Sequence, residues 1–236
     1  MQSADKSAAE AQTLVASLRA FCFPGGEASA RLIRGVRTTQ RGQFRMAPGA
    51  SWTPFTAGEF IDSRQSAFRW QARIGTGIRA LGVTDAYEQG RGYLQLKAAG
   101  VIPVKKFTGP DFDRGELQRY LASIVFCPAM ALNHPTLEFT AAEPLILRMR
   151  DRADASGATV DLELSPEGRP LAVRALRPRM AGKQIILTPW SAAGLDYQDW
   201  EGLRVACRMQ VFWHLDDGPF CYFDGEVNSF EAVKEL

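Results

Sequence analysis

The feature that most limits what this chain can fold into is alternation with a period of two. In Phe68-Arg69-Trp70-Gln71-Ala72-Arg73-Ile74 every second side chain is apolar, and those between are Arg or Gln. Successive side chains of an extended strand point to opposite faces, so the pattern predicts a strand with one buried and one wet face. Similar alternation appears around Val36 to Met46, Phe55 to Ile61, Leu94 to Lys97, Leu145 to Met149 and Val160 to Leu164. It returns in Leu171 to Arg174, Lys183 to Leu187, Val205 to Leu215 and Phe220 to Val227. Ser165-Pro166-Glu167-Gly168 and Asp216-Asp217-Gly218-Pro219 carry the residue types of hairpin connections. About ten short strands with such turns imply an antiparallel sheet large enough to curl, an incomplete barrel in an α+β, β-rich fold.

Two segments break the strand pattern. Ser7-Ala8-Ala9-Glu10 has the form of a capping box, and Ala11, Leu14, Val15, Leu18 and Phe21 follow at helical spacing until Pro24-Gly25-Gly26. Asp113-Arg114-Gly115-Glu116 opens a second helix in the same style, with Leu117, Tyr120, Leu121, Ile124 and Val125 as its apolar stripe and Pro128 ending or kinking it. An amphipathic helix midway through a curved sheet packs most simply on its concave side. The expected organisation is a single domain over 1–236, with an N-terminal helix at 1–24 and strands at 31–107. A central helix at 111–132 and a second set of strands at 136–231 complete it.

At 236 residues a single β-rich domain buries roughly 70–75% of its unfolded surface, so neither staple nor metal is needed. The composition is that of an ordinary globular chain. A net charge of +2 with acids interspersed throughout argues against nucleic acid as a partner. No run of about 18 apolar residues marks a membrane span. Residues Met1 to Lys6 lack the start of a secretory signal. As it stands the sequence reads as soluble and cytoplasmic, with the periplasm as the alternative where a signal has been removed. Cys22, Cys127, Cys207 and Cys221 form no C-x-x-C pair and sit beside aromatic or aliphatic residues, as small buried hydrophobes do.

Motifs that usually announce chemistry fail on context. Gly75-Thr76-Gly77-Ile78-Arg79-Ala80 fits the dinucleotide fingerprint in spacing, but no helical stripe follows in Leu81 to Gly92, so a tight β-turn is the better reading. His134 and His214 have no nucleophile motif near them; His214 reads as a wet-face or hydrogen-bonded strand residue and His134 as a loop residue. Asp111/Asp113 belong to a helix start and Asp216/Asp217 to a turn. No cofactor or metal is implied. Trp190, Tyr197, Trp200, Trp213, Tyr222 and Phe223 crowd the C-terminal third. Packed core and the lining of an apolar cavity both account for them.

Arg119-Tyr120-Leu121-Ala122, then Pro128 and Ala131-Leu132, and later Trp190, Asp196-Tyr197, Gly202, Trp213 and Tyr222-Phe223-Asp224-Gly225 resemble an uncharacterised bacterial family, a domain of unknown function, over residues 35–230. That resemblance implies no activity. In the family's helix motif an acidic residue follows Arg-Tyr-Leu-Ala, where this chain has Ser123. In order of elements, an N-terminal helix, Gln43-Phe44-Arg45-Met46, a strand pair and Phe68-Arg69-Trp70 also resemble the start of periplasmic lipoprotein-carrier proteins. That likeness implies an incomplete barrel closing over helices and holding acyl chains.

Non-enzymatic binding of an apolar or amphiphilic small molecule between sheet and central helix is therefore the leading expectation. Phe68, Trp70, Tyr120, Ile124 and Trp213 are the candidate lining residues, and Arg119 is placed to meet an acidic headgroup. The alternatives are an enzyme using His134, Tyr120 or Asp196 as acid/base groups in the same cavity, and a protein-interaction module without ligand.

Overall fold

Along β3 (Phe68–Ile74), Phe68, Trp70, Ala72 and Ile74 are buried and the residues between them are not. The alternation in the sequence is thus the alternation of faces in space. The computed structural model describes residues 2–182 and 184–234, with side chains from Ser7 onward. Lys183, the expected start of one strand, lies outside the described residues, as do Met1, Glu235 and Leu236.

Two meanders build the sheet. The first runs β1 (Ile33–Phe44), β2 (Thr53–Asp62), β3, β4 (Leu81–Glu88), β5 (Arg91–Ala98) and β6 (Ile102–Thr108). The second runs β7 (Leu137–Glu143), β8 (Ile146–Asp151), β9 (Val160–Leu164), β10 (Pro170–Ala181), β11 (Gln184–Trp200), β12 (Leu203–Leu215) and β13 (Gly218–Lys234). Antiparallel pairing of β1 with β13 joins them into one 13-stranded sheet with β6 and β7 as unpaired edges. The sheet therefore stays open rather than closing into a barrel, and the α+β, β-rich class holds.

Helix α3 (Pro110–Ala122) connects the meanders and shows how strongly the sheet curls. It packs against both β5 and β10, which stand eight places apart in the strand order. In a flat sheet eight steps span about 38 Å, whereas a helix is about 10–12 Å across. The sheet must wrap around it. Helix α1 (Gln2–Cys22) lies against β7, β8 and β12, and one continuous core fills the space between these helices and the strands.

Neither capping box marks a helix start. Ser7 lies inside α1, its Oγ near the Ala141 carbonyl rather than capping a helix start. α3 begins at Pro110 after Gly109, where proline is pre-set for the first turn and has no N–H to lose. Asp113 does not cap it; its carboxylate accepts hydrogen bonds from the Gly92 N–H and from Arg91 and ties the helix to β5. The helix ends at Ala122 and continues as a 3-10 turn over Ser123–Val125, with a short α4 (Met130–Asn133) beyond Pro128. A further single turn, α2 (Glu27–Ala30), follows Gly26.

Antiparallel alternation places the β1–β2, β3–β4 and β5–β6 connections at one end of the first meander, while the β10–β11 turn comes to the other, where Met180 and Ile185 share a small pocket with Phe112, whose carbonyl packs on Gly92 of β5. The 75–80 segment is the β3–β4 connection, with Gly75 and Gly77 at positive φ of 81° and 62° and a single 3-10 turn over Gly77–Arg79. It is a turn, and no helix follows it. All four cysteines are free; Cys22, Cys127 and Cys207 are buried and Cys221 is half-buried.

Candidate functional site

α3 presents two faces to the concave side. Leu117, Tyr120, Leu121 and, just past its end, Ile124 are fully buried in packed core. One step round, Glu116, Arg119, Ala122 and Ser123 face a cavity of about 530 Å³. Its opposite wall is aromatic: Trp70, Trp190, Trp213, Tyr222 and Phe223. The wall is itself organised, with Trp213 stacked on Tyr222 at 5.9 Å between ring centroids and the Trp190 indole N–H donating to the Tyr222 hydroxyl at 3.0 Å. Met46, Met180 and Phe220 also line the cavity.

Beneath the aromatic wall lies a polar floor that the strand register builds. Thr38, Glu59, Trp70, Asp85 and Leu94 are successive cross-strand partners over β1 to β5. Arg119 lowers its guanidinium onto this row, 2.9 Å from Glu59 Oε1 and 3.2 Å from Asp85 Oδ2, above the Phe68 ring at 4.4 Å. Gln40 donates to Glu59 Oε2 at 2.7 Å and accepts from the Trp70 indole N–H at 3.0 Å. Glu59, only 2% exposed in its side chain, has both oxygens satisfied, which is the condition for a buried charge to persist.

Glu116 and Asp85 form a second feature of the floor. Glu116 Oε2 and Asp85 Oδ1 are buried and neither receives a hydrogen bond from an N–H or hydroxyl. They belong to neighbouring carboxyl groups, so one proton held between them satisfies both. Burial, and then the charge of Asp85, push the Glu116 carboxyl well above its ordinary range, only partly offset by Arg177. Arg177 lies over Trp190 at 4.7 Å and donates to the Gly115 carbonyl at 2.6 Å.

Of the residues singled out from sequence, Trp70, Arg119 and Trp213 stand on the cavity wall, while Phe68, Tyr120 and Ile124 do not reach it. Phe68 is sealed beneath Arg119, and the Tyr120 hydroxyl donates to the Asp62 carbonyl at 2.9 Å on the core side of the helix. The C-terminal aromatics divide likewise: Trp190, Trp213, Tyr222 and Phe223 line the cavity, whereas Tyr197 packs on Phe21 and Trp200 on Phe230. Gln40, Glu59, Asp85, Glu116 and Arg177 escaped the sequence reading. Glu59 and Gln40 did carry a signal, since each occupies an inward position of an alternating strand where an apolar residue belongs.

The acid/base candidates are not assembled around the cavity. Ser66 Oγ donates to Asp151 Oδ2 at 2.6 Å and its oxygen faces His134 Nε2 at 3.2 Å, while the Thr136 N–H meets His134 Nδ1 at 3.3 Å. That pattern assigns the proton to Nε2 and leaves neither nitrogen open to a substrate. Burial lowers the His134 pKa, against the nearby carboxylates. The cluster latches the β2–β3 turn to the end of β8. Asp196, at φ 53°, stands apart in β11 near Arg208. His214 bonds Ser191 at 2.8 Å.

Residues 18–225 match the family of unknown function DUF6544. The chain belongs to DUF6544. No curated protein matches it. Solved structures resemble this DUF6544 chain in fold. A DUF1329 family protein from Desulfovibrio piger gives a TM-score of 0.53 at 7% identity, covering 96% of this chain and 95% of that one. A domain from Vibrio parahaemolyticus, named for outer membrane lipoprotein sorting, gives 0.51 at 12% identity over 99% and 94%. A LolA superfamily protein from Nitrosomonas europaea gives 0.50 at 12% identity over 96% and 94%. At such identities the likeness concerns the fold.

The two segments that first suggested the family both build the cavity of this DUF6544 chain. In Arg119-Tyr120-Leu121-Ala122, the Arg and Ala face the cavity and the Tyr and Leu anchor the helix in the core. In Tyr222-Phe223-Asp224-Gly225, the two aromatics line the wall and Asp224 holds Arg208 and Gln210. A Cβ on Gly225 would come within 2.6 Å of the Phe223 ring and 3.1 Å of the Phe55 ring. Glycine there leaves the space both rings occupy.

Proposed function

We propose that this chain binds and carries one lipid-like amphiphile, with its apolar part against the aromatic wall and its polar end toward Arg119 and the carboxyl groups beneath it. The observation that carries this reading is the cavity itself. Its volume of about 530 Å³ falls within the roughly 300–1,000 Å³ of small-molecule sites, and its makeup of apolar walls with a few convergent polar groups is theirs too. A larger depression of about 910 Å³ runs along α1, but it has only Phe23 and Phe139 as aromatic lining, and its Arg19 already donates to the Ala131 carbonyl. The fold likeness to a domain named for lipoprotein sorting supports a carrier role, and with it the periplasmic alternative over the cytoplasmic one.

Native mass spectrometry of gently purified protein is expected to show an added lipid mass, and delipidated protein to take up a fluorescent fatty acid. Trp213→Ala, which removes part of the wall, should weaken that uptake about tenfold. Absence of both bound lipid and uptake would overturn the reading.

A further inference from the structure

We infer that the polar end of the carried amphiphile is an uncharged hydrogen-bond acceptor, an ester or amide carbonyl, held by Arg119, Arg177 and Tyr222. The inference rests on the carrier reading and adds to it the class of headgroup. Acceptors on the cavity floor are largely occupied. The Glu59 oxygens are taken by Arg119 and Gln40, the Gln40 side-chain oxygen by the Trp70 indole N–H, and Asp85 Oδ2 by Arg119. Donors are left over. Arg119 uses Nε and Nη1 on the two carboxylates, so Nη2 remains on a side chain that is 23% exposed along the cavity wall. Arg177 spends Nη2 on the Gly115 carbonyl, while its Nε is buried without a partner. The Tyr222 hydroxyl accepts from Trp190, and its own proton has no acceptor among the described residues. Buried donors without partners are costly, so an oxygen supplied by the ligand completes the floor.

These donors share one place. Arg177 lies 4.7 Å from the Trp190 ring, whose N–H bonds Tyr222 at 3.0 Å, and 3.9 Å from Glu116 Oε2. Asp85, the neighbour of Glu116, is 3.2 Å from Arg119. The charges of Arg177 and Arg119 both act on the Tyr222 hydroxyl, whose pKa burial nevertheless raises, so it keeps its proton. Charge then decides between an acid and an ester. The two guanidinium groups are balanced by Glu59 and by an Asp85–Glu116 pair that shares one proton. A carboxylate lodged at Arg119 would be a third acid beside Glu59 and Asp85, stripped of water with no net charge to meet it. A cation would lie against two guanidinium groups. A carbonyl dipole loses far less on leaving water and finds donors waiting. The acidic headgroup expected at Arg119 from the sequence is the arrangement that the floor's own carboxylates oppose.

The test is a matched titration of the full chain with laurate and with methyl laurate, both below their aggregation concentrations. The readout is emission from Trp70, Trp190 and Trp213, which line the cavity. At neutral pH methyl laurate should bind about tenfold more tightly than laurate. Acidification should narrow that gap from the laurate side, because the protonated acid is itself an uncharged acceptor. Glu59→Gln removes one counter-charge and keeps an amide oxygen for Arg119, so it should shift the preference toward laurate, with circular dichroism as the check on the fold. The wild-type comparison stands whether or not that variant folds. Equal binding of the two compounds at neutral pH would overturn the inference and leave the carrier reading intact. So would tighter binding of laurate, which would give the charged end to Arg45 or Arg179, cavity residues that bond a carbonyl and a hydroxyl oxygen rather than a carboxylate. Binding of neither compound, with no lipid mass on the purified protein, would remove the carrier reading and this inference with it.

Discussion

The two faces of α3 are built from neighbouring residues and meet opposite fates. On one side Leu117, Tyr120, Leu121 and Ile124 fill their space completely, and the single polar group there, the Tyr120 hydroxyl, is spent on the Asp62 carbonyl. On the other side Glu116, Arg119 and Ala122 border a void, and charge rather than packing holds the helix to the sheet. An apolar stripe identifies the anchored face of a helix. A cavity forms where the adjacent face carries groups too polar to collapse onto apolar neighbours.

The strongest way to break this contrast is to place a charge on the anchored face. Leu121→Asp or Ile124→Asp should cost several kcal/mol, because neither site offers a partner or water. Leu121→Ala should cost about 2–5 kcal/mol, combining lost transfer energy with a residual hole. Chemical denaturation measures both, and near wild-type midpoints would show that this face is not packed. Next in size is Arg119→Met. It leaves the buried Glu59 carboxylate without its cation, and should cost about 3 kcal/mol. Adding Glu59→Gln should recover part of that loss, whereas strictly additive losses would mean that Arg119 acts through its packing on Phe68 alone.

How much of this was legible beforehand follows the same physics. β3, β9 and β12 were readable because one face is wet and the other dry. β4 was not, since small residues on one face and Asp85 on the other leave no apolar stripe. β6 was hidden for another reason: as an edge strand it is exposed almost throughout and accommodates Pro103. β7, the other edge, and β11 beyond Leu187 were missed as well. Trp70, Arg119 and Trp213 could be picked out as large or charged residues near the helix. Tyr120 and Ile124 were chosen for their stripe, but periodicity reveals that a face is buried without revealing whether the volume opposite is filled. The Glu116–Asp85 pair depends on two elements meeting, and no local pattern contains it.

A matched pair of enlargements sharpens filled against unfilled. Val173 is fully buried in the core, and Val211, also buried, borders the cavity. Val173→Phe should cost about 1–3 kcal/mol through overpacking. Val211→Phe has room to expand, so its cost should stay below about 1 kcal/mol while fatty-acid uptake falls. Equal costs at the two positions would mean that the cavity closes in solution.

The smallest expected effect concerns the proton between Glu116 and Asp85, and its sign can be worked out. The Glu116 pKa in the fold is raised well above 4.5, the value it regains on unfolding. Between those two values the folded chain holds more protons than the unfolded chain, so stability falls as pH rises through that window. Below it the contribution is fully present, and above it the loss is complete. Glu116→Gln keeps a donor for Asp85 and cannot titrate. The variant should therefore match the wild type at mildly acidic pH and exceed it by about 1 kcal/mol for each pH unit climbed within the window. Denaturation midpoints measured across the pH range test this directly. Parallel profiles for the two proteins would show that no proton is shared. The cavity floor would then hold an unpaired carboxylate, which Arg177, 3.9 Å from Glu116 Oε2, would have to move to neutralise.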